Sequence, residues 1–312
     1  MKNKPGIISQ SGTAIVVALF VTALVAAAAT AMIEHLSIDT RRTELILNNN
    51  QANLYAQGSV AWAMDQLIND LKQKQSSRVV DRTPIISPNN TINNATISSV
   101  IEDAQGRLNL NNLTDAQYQT VLTRLITLVA PQINQTAAHN ITLAVVDWIT
   151  QGLHDTSFDQ AYKKMNPPYL SPHRVMSSIS ELRLVKGMTP ALYTLLEPNV
   201  IVLPDRTKIN INSAPIPVIM SFSPNITLET AKALDQLRRQ SPLITLDMLG
   251  NFPDIKNNSF AQGNLTVTSD FFLLKTHVTI GDQDSTLTTL LMRLLKNSQP
   301  AVNIMWQSKG TL

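Results

Sequence analysis

The sequence is 312 residues long, enough for one large domain or two ordinary ones, with 44% hydrophobic residues and a net charge of +3. This composition excludes extensive disorder, and the basic residues are scattered, with no run longer than Arg41-Arg42 or Arg238-Arg239 to signal nucleic acid. The absence of cysteine excludes disulfides, thiolate metal sites and a cysteine nucleophile.

The first element is hydrophobic. Residues 1–12 are polar, carry Lys2 and Lys4, and end in Gln10-Ser11-Gly12. Thr13 to Met32 follows as 20 largely apolar residues, about the length that spans a bilayer as a helix. A conventional secretory signal cut near Ala29 is one reading. The other is a prepilin signal, because the leader ends in Gly directly before the apolar run, where prepilin peptidase cuts between Gly12 and Thr13. Helical character also continues past Met32. Ala52, Ala56, Val60, Ala63, Leu67 and Leu71 recur at three-four spacing, one face of a helix extending to about residue 74. Lys2 and Lys4 place the N-terminus on the cytoplasmic side, although Arg41 and Arg42 weaken that bias.

After such a cut, the fifth mature residue is Val17. Pilins and major pseudopilins carry Glu there, a carboxylate that survives in hydrocarbon only when paired, with the N-terminal amine of the subunit ahead. Val17 cannot make that pairing. It suits either a first subunit with nothing ahead of it or a plain anchor.

Residues 76–96, rich in Ser, Asn and Pro, read as a loop. Residues 97–110 read as a hairpin, with a strand at 97–103, a turn at Ala104-Gln105-Gly106 and a return through Leu108 and Leu110. A helix follows, with Thr114 and Asp115 as cap candidates and Pro131 as its stop, then a second through 141–152. An irregular stretch (153–175) leads to a third helical unit at 178–198, a strand-like VIVL, and two short helices within 227–249. The end is β: residues 264–281 alternate into a Gly281-Asp282 turn, 286–296 returns, and 301–306 adds a short last strand. The order predicts an α+β chain: a pilin-like fold with a long N-terminal transmembrane helix, a terminal antiparallel sheet and a large inserted all-helical domain. The expected division is leader 1–12, transmembrane half-helix 13–32, the rest of the helix with loop and first strands 33–112, insertion 113–200, and a helical segment with C-terminal strands 201–312.

Enzyme chemistry finds no support. The five histidines, His35, His139, His154, His173 and His277, are isolated, and no H-E-x-x-H, G-x-S-x-G or phosphate loop is present. Residues 209–249 share the phrasing of helix-hairpin-helix DNA-binding modules, yet the hairpin Ser223-Pro224-Asn225-Ile226-Thr227 lacks the glycines that let backbone amides grip phosphate. A membrane-anchored DNA-uptake protein is therefore the alternative function. The several N-x-[ST] triplets are expected by chance in an Asn-rich chain, and Trp62, Trp148 and Trp306 read as core or interface anchors.

The segments GRLNLNNL (106–113), VVDWI (145–149), PPYLSPHRVMSSISELRLVKGMTPALY (167–193), VLPDRTKININSAP (202–215) and SDFFLLKTHVTIGD with LLMRLLK together resemble the K-type minor pseudopilins of the type II secretion pathway. The resemblance implies a pilin-like domain with a helical insertion, anchored in the bacterial inner membrane with its bulk in the periplasm. It implies a place at the pseudopilus tip with I- and J-type and also H-type minor pseudopilins, processing by prepilin peptidase, methylation of Thr13, and contact with the inner-membrane secretion platform. The lack of Glu at mature position five is also this family's habit. Some members bind calcium in an acidic loop after the DW motif. The matching acids here are Asp147, Asp155 and Asp159, fewer than usual for an ion that takes six to eight oxygens.

Overall fold

The computed structural model describes residues 11–73, 78, 81–88, 90–296 and 298–310. Of the leader expected over 1–12, residues 1–10 lie outside them.

Helix α1 spans Ser11–Lys72, 62 residues, roughly 90 Å at 1.5 Å per residue. Its first part, including every large apolar side chain from Ile15 to Ile38, is exposed and is long and apolar enough to cross a membrane. The second part buries the expected face: Ala52, Ala56, Val60, Ala63 and Leu67 are all at most 4% exposed. Small residues at the first positions let the helix lie close on the sheet, while Val60 and Leu67 each contribute about 1.5–3 kcal/mol of burial.

Strands β1 (Ile85–Ile86), β2 (Asn90–Ile92) and β3 (Ala95–Asp103) follow. Here the loop expected over 76–96 is corrected. Asn93 and Asn94, at φ 47° and 65°, turn β2 back onto β3, and Ile85 pairs with Ile101. Asn tolerates the left-handed region that such tight hairpins require. The hairpin expected around Ala104-Gln105-Gly106 is also corrected. Leu108 does not return along β3, because that edge is taken by a later strand. Gln105 Oε1 instead accepts from the backbone N–H groups of Asp270 and Phe271, and Gly106 is pressed against Ser213.

The chain then departs into two helical modules built to one plan. In the first, β4 (Leu108–Asn109) leads into α2 (Ala116–Val129), α3 (Gln135–Ile149), α4 (Ser157–Tyr162), a 3-10 turn Ile179–Leu184 and α5 (Pro190–Leu196), and closes with β5 (Val200–Ile201), parallel to β4. In the second, β6 (Ile209–Asn210) leads into α6 (Ile216–Ser221), α7 (Leu228–Gln240), a 3-10 turn Leu246–Asn251 and α8 (Pro253–Lys256), and closes with β7 (Leu265–Thr266), parallel to β6. Asp115 caps α2 as expected, its side chain accepting from Gln117 N–H. One apolar core runs through both modules, from Leu108 to Leu265.

Buried asparagines stitch each module in the same way. Asn109 Oδ1 accepts from Asn111 N–H, and Asn210 Oδ1 from Asn212 N–H. Asn111 donates to the carbonyls of Met176 and Leu203 and accepts from Met176 N–H. Asn212 donates to the carbonyls of Leu243 and Val267 and accepts from Leu243 N–H. The two-residue parallel strands supply few ladder bonds, so side-chain amides satisfy the backbone instead.

The chain returns as β8 (Phe271–Ile280), β9 (Gln283–Lys296) and β10 (Gln299–Lys309), an edge strand longer than the short one expected at 301–306. Its period is broken by a bulge between Ile304 and Trp306, which hid its extent. The antiparallel sheet has the order β1-β3-β8-β9-β10, with β2 also on β3. Near the modules it is covered on both faces: Phe272 and Leu274 pack with α1, while Phe271 and Leu273 pack with Ile201 and Leu203.

Gly106 is where the module meets the sheet most closely. A Cβ there would lie 2.5–2.7 Å from Ser213 Oγ, carbonyl oxygen and carbonyl carbon. Gly106→Ala is expected to lower the stability of the detergent-purified protein by about 1–3 kcal/mol in urea unfolding, the usual scale of overpacking. An unchanged midpoint would show that Ser213 yields freely.

Candidate functional site

The residues that carry chemistry gather where α3 ends. Asp147 and Trp148 occupy its last turn, and both are buried. Between Thr150 and Val175 the chain makes an excursion absent from the second module, where only Ser241 and Pro242 separate α7 from Leu243. The excursion is held by its own aromatic stack. Tyr162 meets Trp148 edge-on at 5.6 Å and stacks on Tyr169 at 5.1 Å. Trp148 Nε1 donates to Glu181 at 3.1 Å, and Tyr162 Oη accepts from Lys186 N–H.

Helix α4 begins with a capping box. Thr156 Oγ1 accepts from Asp159 N–H, and Asp159 Oδ2 accepts from Thr156 N–H. The same Asp159 Oδ2 lies 2.9 Å from His173 Nε2, while His173 Nδ1 lies 3.0 Å from the carbonyl oxygen of Asp147. A carbonyl only accepts, so Nδ1 carries a hydrogen. One ligand atom each from Asp147, Asp159 and His173 falls within 4.8 Å of the other two. Asp147 Oδ2, Asp159 Oδ1 and Ser171 Oγ are buried without a hydrogen-bond partner. Asp159, Ser171 and His173 line a cleft of about 400 Å³ that opens past His154 and Lys163.

The electrostatics follow from these contacts. Burial raises the Asp147 carboxyl above its usual range, although the Thr156 hydroxyl and His173 pull the other way. Burial acts on Asp159 in the same sense, but hydrogen bonds from His173 and Thr156 override it and hold the carboxyl low. Burial alone would lower His173; its bonds to Asp159 and the Asp147 carbonyl raise it instead.

Asp155, expected beside Asp147 and Asp159, lines the same cleft but stays outside their close group: it is exposed and ion-paired to Lys163 at 2.6 Å. His173, one of the histidines that sequence spacing left isolated, takes the third position. The only signal for it was its place in the irregular stretch; no spacing rule reaches from 147 to 173. Gly12 and Thr13 lie in the first turn of α1, and Val17 is exposed.

The α6–α7 hairpin offers no phosphate grip. Arg238 is consumed by the carbonyls of Ile211 and Ala214 and by Asp235, which also holds Arg239.

A second polar cluster joins the pilin-like frame to the modules. Arg293, 2% exposed, donates to Asp70 at 2.7 Å, Asp81 at 2.6 Å and the Ser269 carbonyl at 2.7 Å. Asn210 ties the Asp81 carbonyl, Ser269 and Asp103 together, and Ser213 donates to Asp103. Burial raises Asp103 to about 6 against these hydrogen bonds.

A family model described as Type II secretion system (T2SS), protein K matches residues 106–205, the first module. Type II secretion system protein K of Pectobacterium carotovorum is 30% identical over 304 residues, covering 88% of this chain and 90% of that protein. The chain belongs to the type II secretion system protein K family. Protein K of Klebsiella pneumoniae is 28% identical, covering 88% of this chain and 89% of that protein, and protein K of Pseudomonas aeruginosa is 25% identical, covering 91% and 89%. Among solved structures, a chain of the GspK-GspI-GspJ complex from enterotoxigenic Escherichia coli superposes with a TM-score of 0.64 at 20% identity, over 87% of this chain and all of that one. That likeness bears out the fold: a long apolar N-terminal helix, a C-terminal antiparallel sheet and a helical insertion. Protein K is a structural component of its secretion system, and helix-hairpin-helix DNA uptake finds no counterpart in these matches.

Proposed function

We propose that this chain is the tip subunit of a type II secretion pseudopilus, anchored in the inner membrane by residues 13–32 with its bulk in the periplasm. The observation that carries the reading is the position of the helical modules. Arg41 of α1 approaches Asp282 in the β8–β9 turn, whereas Asp70 near the other end of α1 binds Arg293 beside Ser269, where the modules rejoin the sheet. The modules therefore crown the end of α1 remote from its apolar half, where they would block another subunit from stacking above. Val17 in place of a carboxylate supports the same position, since a first subunit has no amine ahead of it to pair.

The I- and J-type minor pseudopilins are the natural partners, by analogy with the assembled enterobacterial complex, and the H-type follows in the same fibre. The exposed face of α1 around Ala26 to Ala29 would let partner helices approach closely and pack by van der Waals contact. Prepilin peptidase removes 1–12, and the platform then extracts the processed helix. The expected boundary between a 113–200 insertion and a 201–312 segment falls inside one apolar core, which continues to Leu265.

N-terminal sequencing of the mature protein tests the reading. It should begin at a methylated Thr13; a start near Thr30 would mean a conventional secreted protein and sink the proposal. Loss of a stable complex with I- and J-type partners would remove the tip assignment separately.

A further inference from the structure

We infer that Asp147, Asp159 and His173 form a binding site for a first-row transition-metal dication, zinc above the others, rather than for calcium. The two carboxylates are 7% and 3% exposed, each with one oxygen lacking any partner, and Ser171 Oγ stands unpartnered in the same cleft. Buried acceptors of this kind are costly to leave unmet. Charge decides what meets them. A single imidazolium supplies one positive charge against two carboxylates, whereas a dication bound to a neutral imidazole closes the sum.

His173 is already set for ligation. Its Nδ1–H is spent on the Asp147 carbonyl, which fixes the tautomer and aims Nε2 at Asp159, the usual arrangement behind a metal-bound histidine. The 2.9 Å between Nε2 and Asp159 Oδ2 approaches the separation, about 3.3 Å, of two ligands on one tetrahedral zinc. The metal would displace one proton from Nε2, so binding weakens as pH falls. Calcium does not fit. It needs six to eight oxygens and avoids imidazole, and the acid that would enlarge its shell, Asp155, is paired with Lys163. Position gives the site a role: it would staple the 150–175 excursion, which the second module lacks, onto the end of α3.

The test uses the full chain in detergent, stripped with chelator and titrated calorimetrically with ZnCl₂, MnCl₂ and CaCl₂. One zinc should bind per chain, more tightly than manganese and at least tenfold more tightly than calcium. His173→Gln should weaken zinc at least tenfold, and Asp155→Asn should leave it unchanged. X-ray absorption on the zinc-loaded wild-type protein, independent of any variant's folding, should show one imidazole among oxygen ligands. The proposal is overturned if the wild-type chain binds no zinc, if calcium binds as tightly, if the zinc shell lacks imidazole, or if Asp155→Asn rather than His173→Gln weakens binding.

Discussion

Arg293→Met is expected to destabilise the protein by about 3–5 kcal/mol, the scale seen when one partner of a buried ion cluster is removed. Arg293 holds two carboxylates that are 7% and 2% exposed, and its guanidinium also lies 4.7 Å above the Phe272 ring. Methionine can refill the space but leaves Asp70 and Asp81 charged, buried and facing one another. The Asp81 carboxyl is already raised, by burial first, then by Asp70, against the attraction of Arg293. Without Arg293 it rises further. A carboxyl raised on folding binds its proton more readily when folded, so it favours folding at low pH and works against it as pH rises. The deficit of Arg293→Met should therefore be larger at pH 8 than at pH 5, and Asp81→Asn in the same background should recover part of it. Urea unfolding at the two pH values measures both. A loss under about 1 kcal/mol would show that the cluster contributes little net stability, as some buried ion pairs do.

Asn111→Ala should be nearly as damaging. It strands two buried carbonyls, of Met176 and Leu203, and the Met176 N–H, each worth about 1–3 kcal/mol when unmet. A total near 3 kcal/mol is expected in thermal or urea unfolding. Asn111→Asp separates amide donation from side-chain volume. It keeps the shape but sets a carboxylate against two carbonyl oxygens, so it should be no more stable than the alanine variant. If aspartate restores wild-type stability, the amide's donations do not matter and the stitching role falls.

What the sequence disclosed depended on period and punctuation. The buried face of α1 and the end of α2 before Pro131 were legible because helical spacing and caps are local. The strand at 97–103 was legible too, but its partner was not. Ala104-Gln105-Gly106 has a turn's composition, and only the tertiary structure shows Gln105 gripping the start of β8. Strands of two or three residues, such as Ile85–Ile86, are too short to carry a period. The asparagines show the same limit. LNLNN and ININS both lie in segments that carry the family resemblance, yet nothing in them announced that their amides replace missing ladder bonds, or that the two phrases open equivalent modules. His173 was hidden for a related reason, since its partners lie 14 and 26 positions away in the chain.

Asp103 at the end of β3 pairs with Phe272 at the start of β8, so both modules hang from what is otherwise a connection between adjacent strands. This bears on the order of folding. Loop closure grows only slowly with length, by about 0.6 kcal/mol per doubling, but it must be met before any β3–β8 bond forms. A disordered segment of this size would leave the central pair of the sheet slow to register and its edges open to wrong partners. Modules that collapse first bring Asp103 and Phe272 together as the two ends of one rigid body. The sheet then closes as though joined by a short turn, and β3 completes the surface of β8, β9 and β10 on which α1 docks.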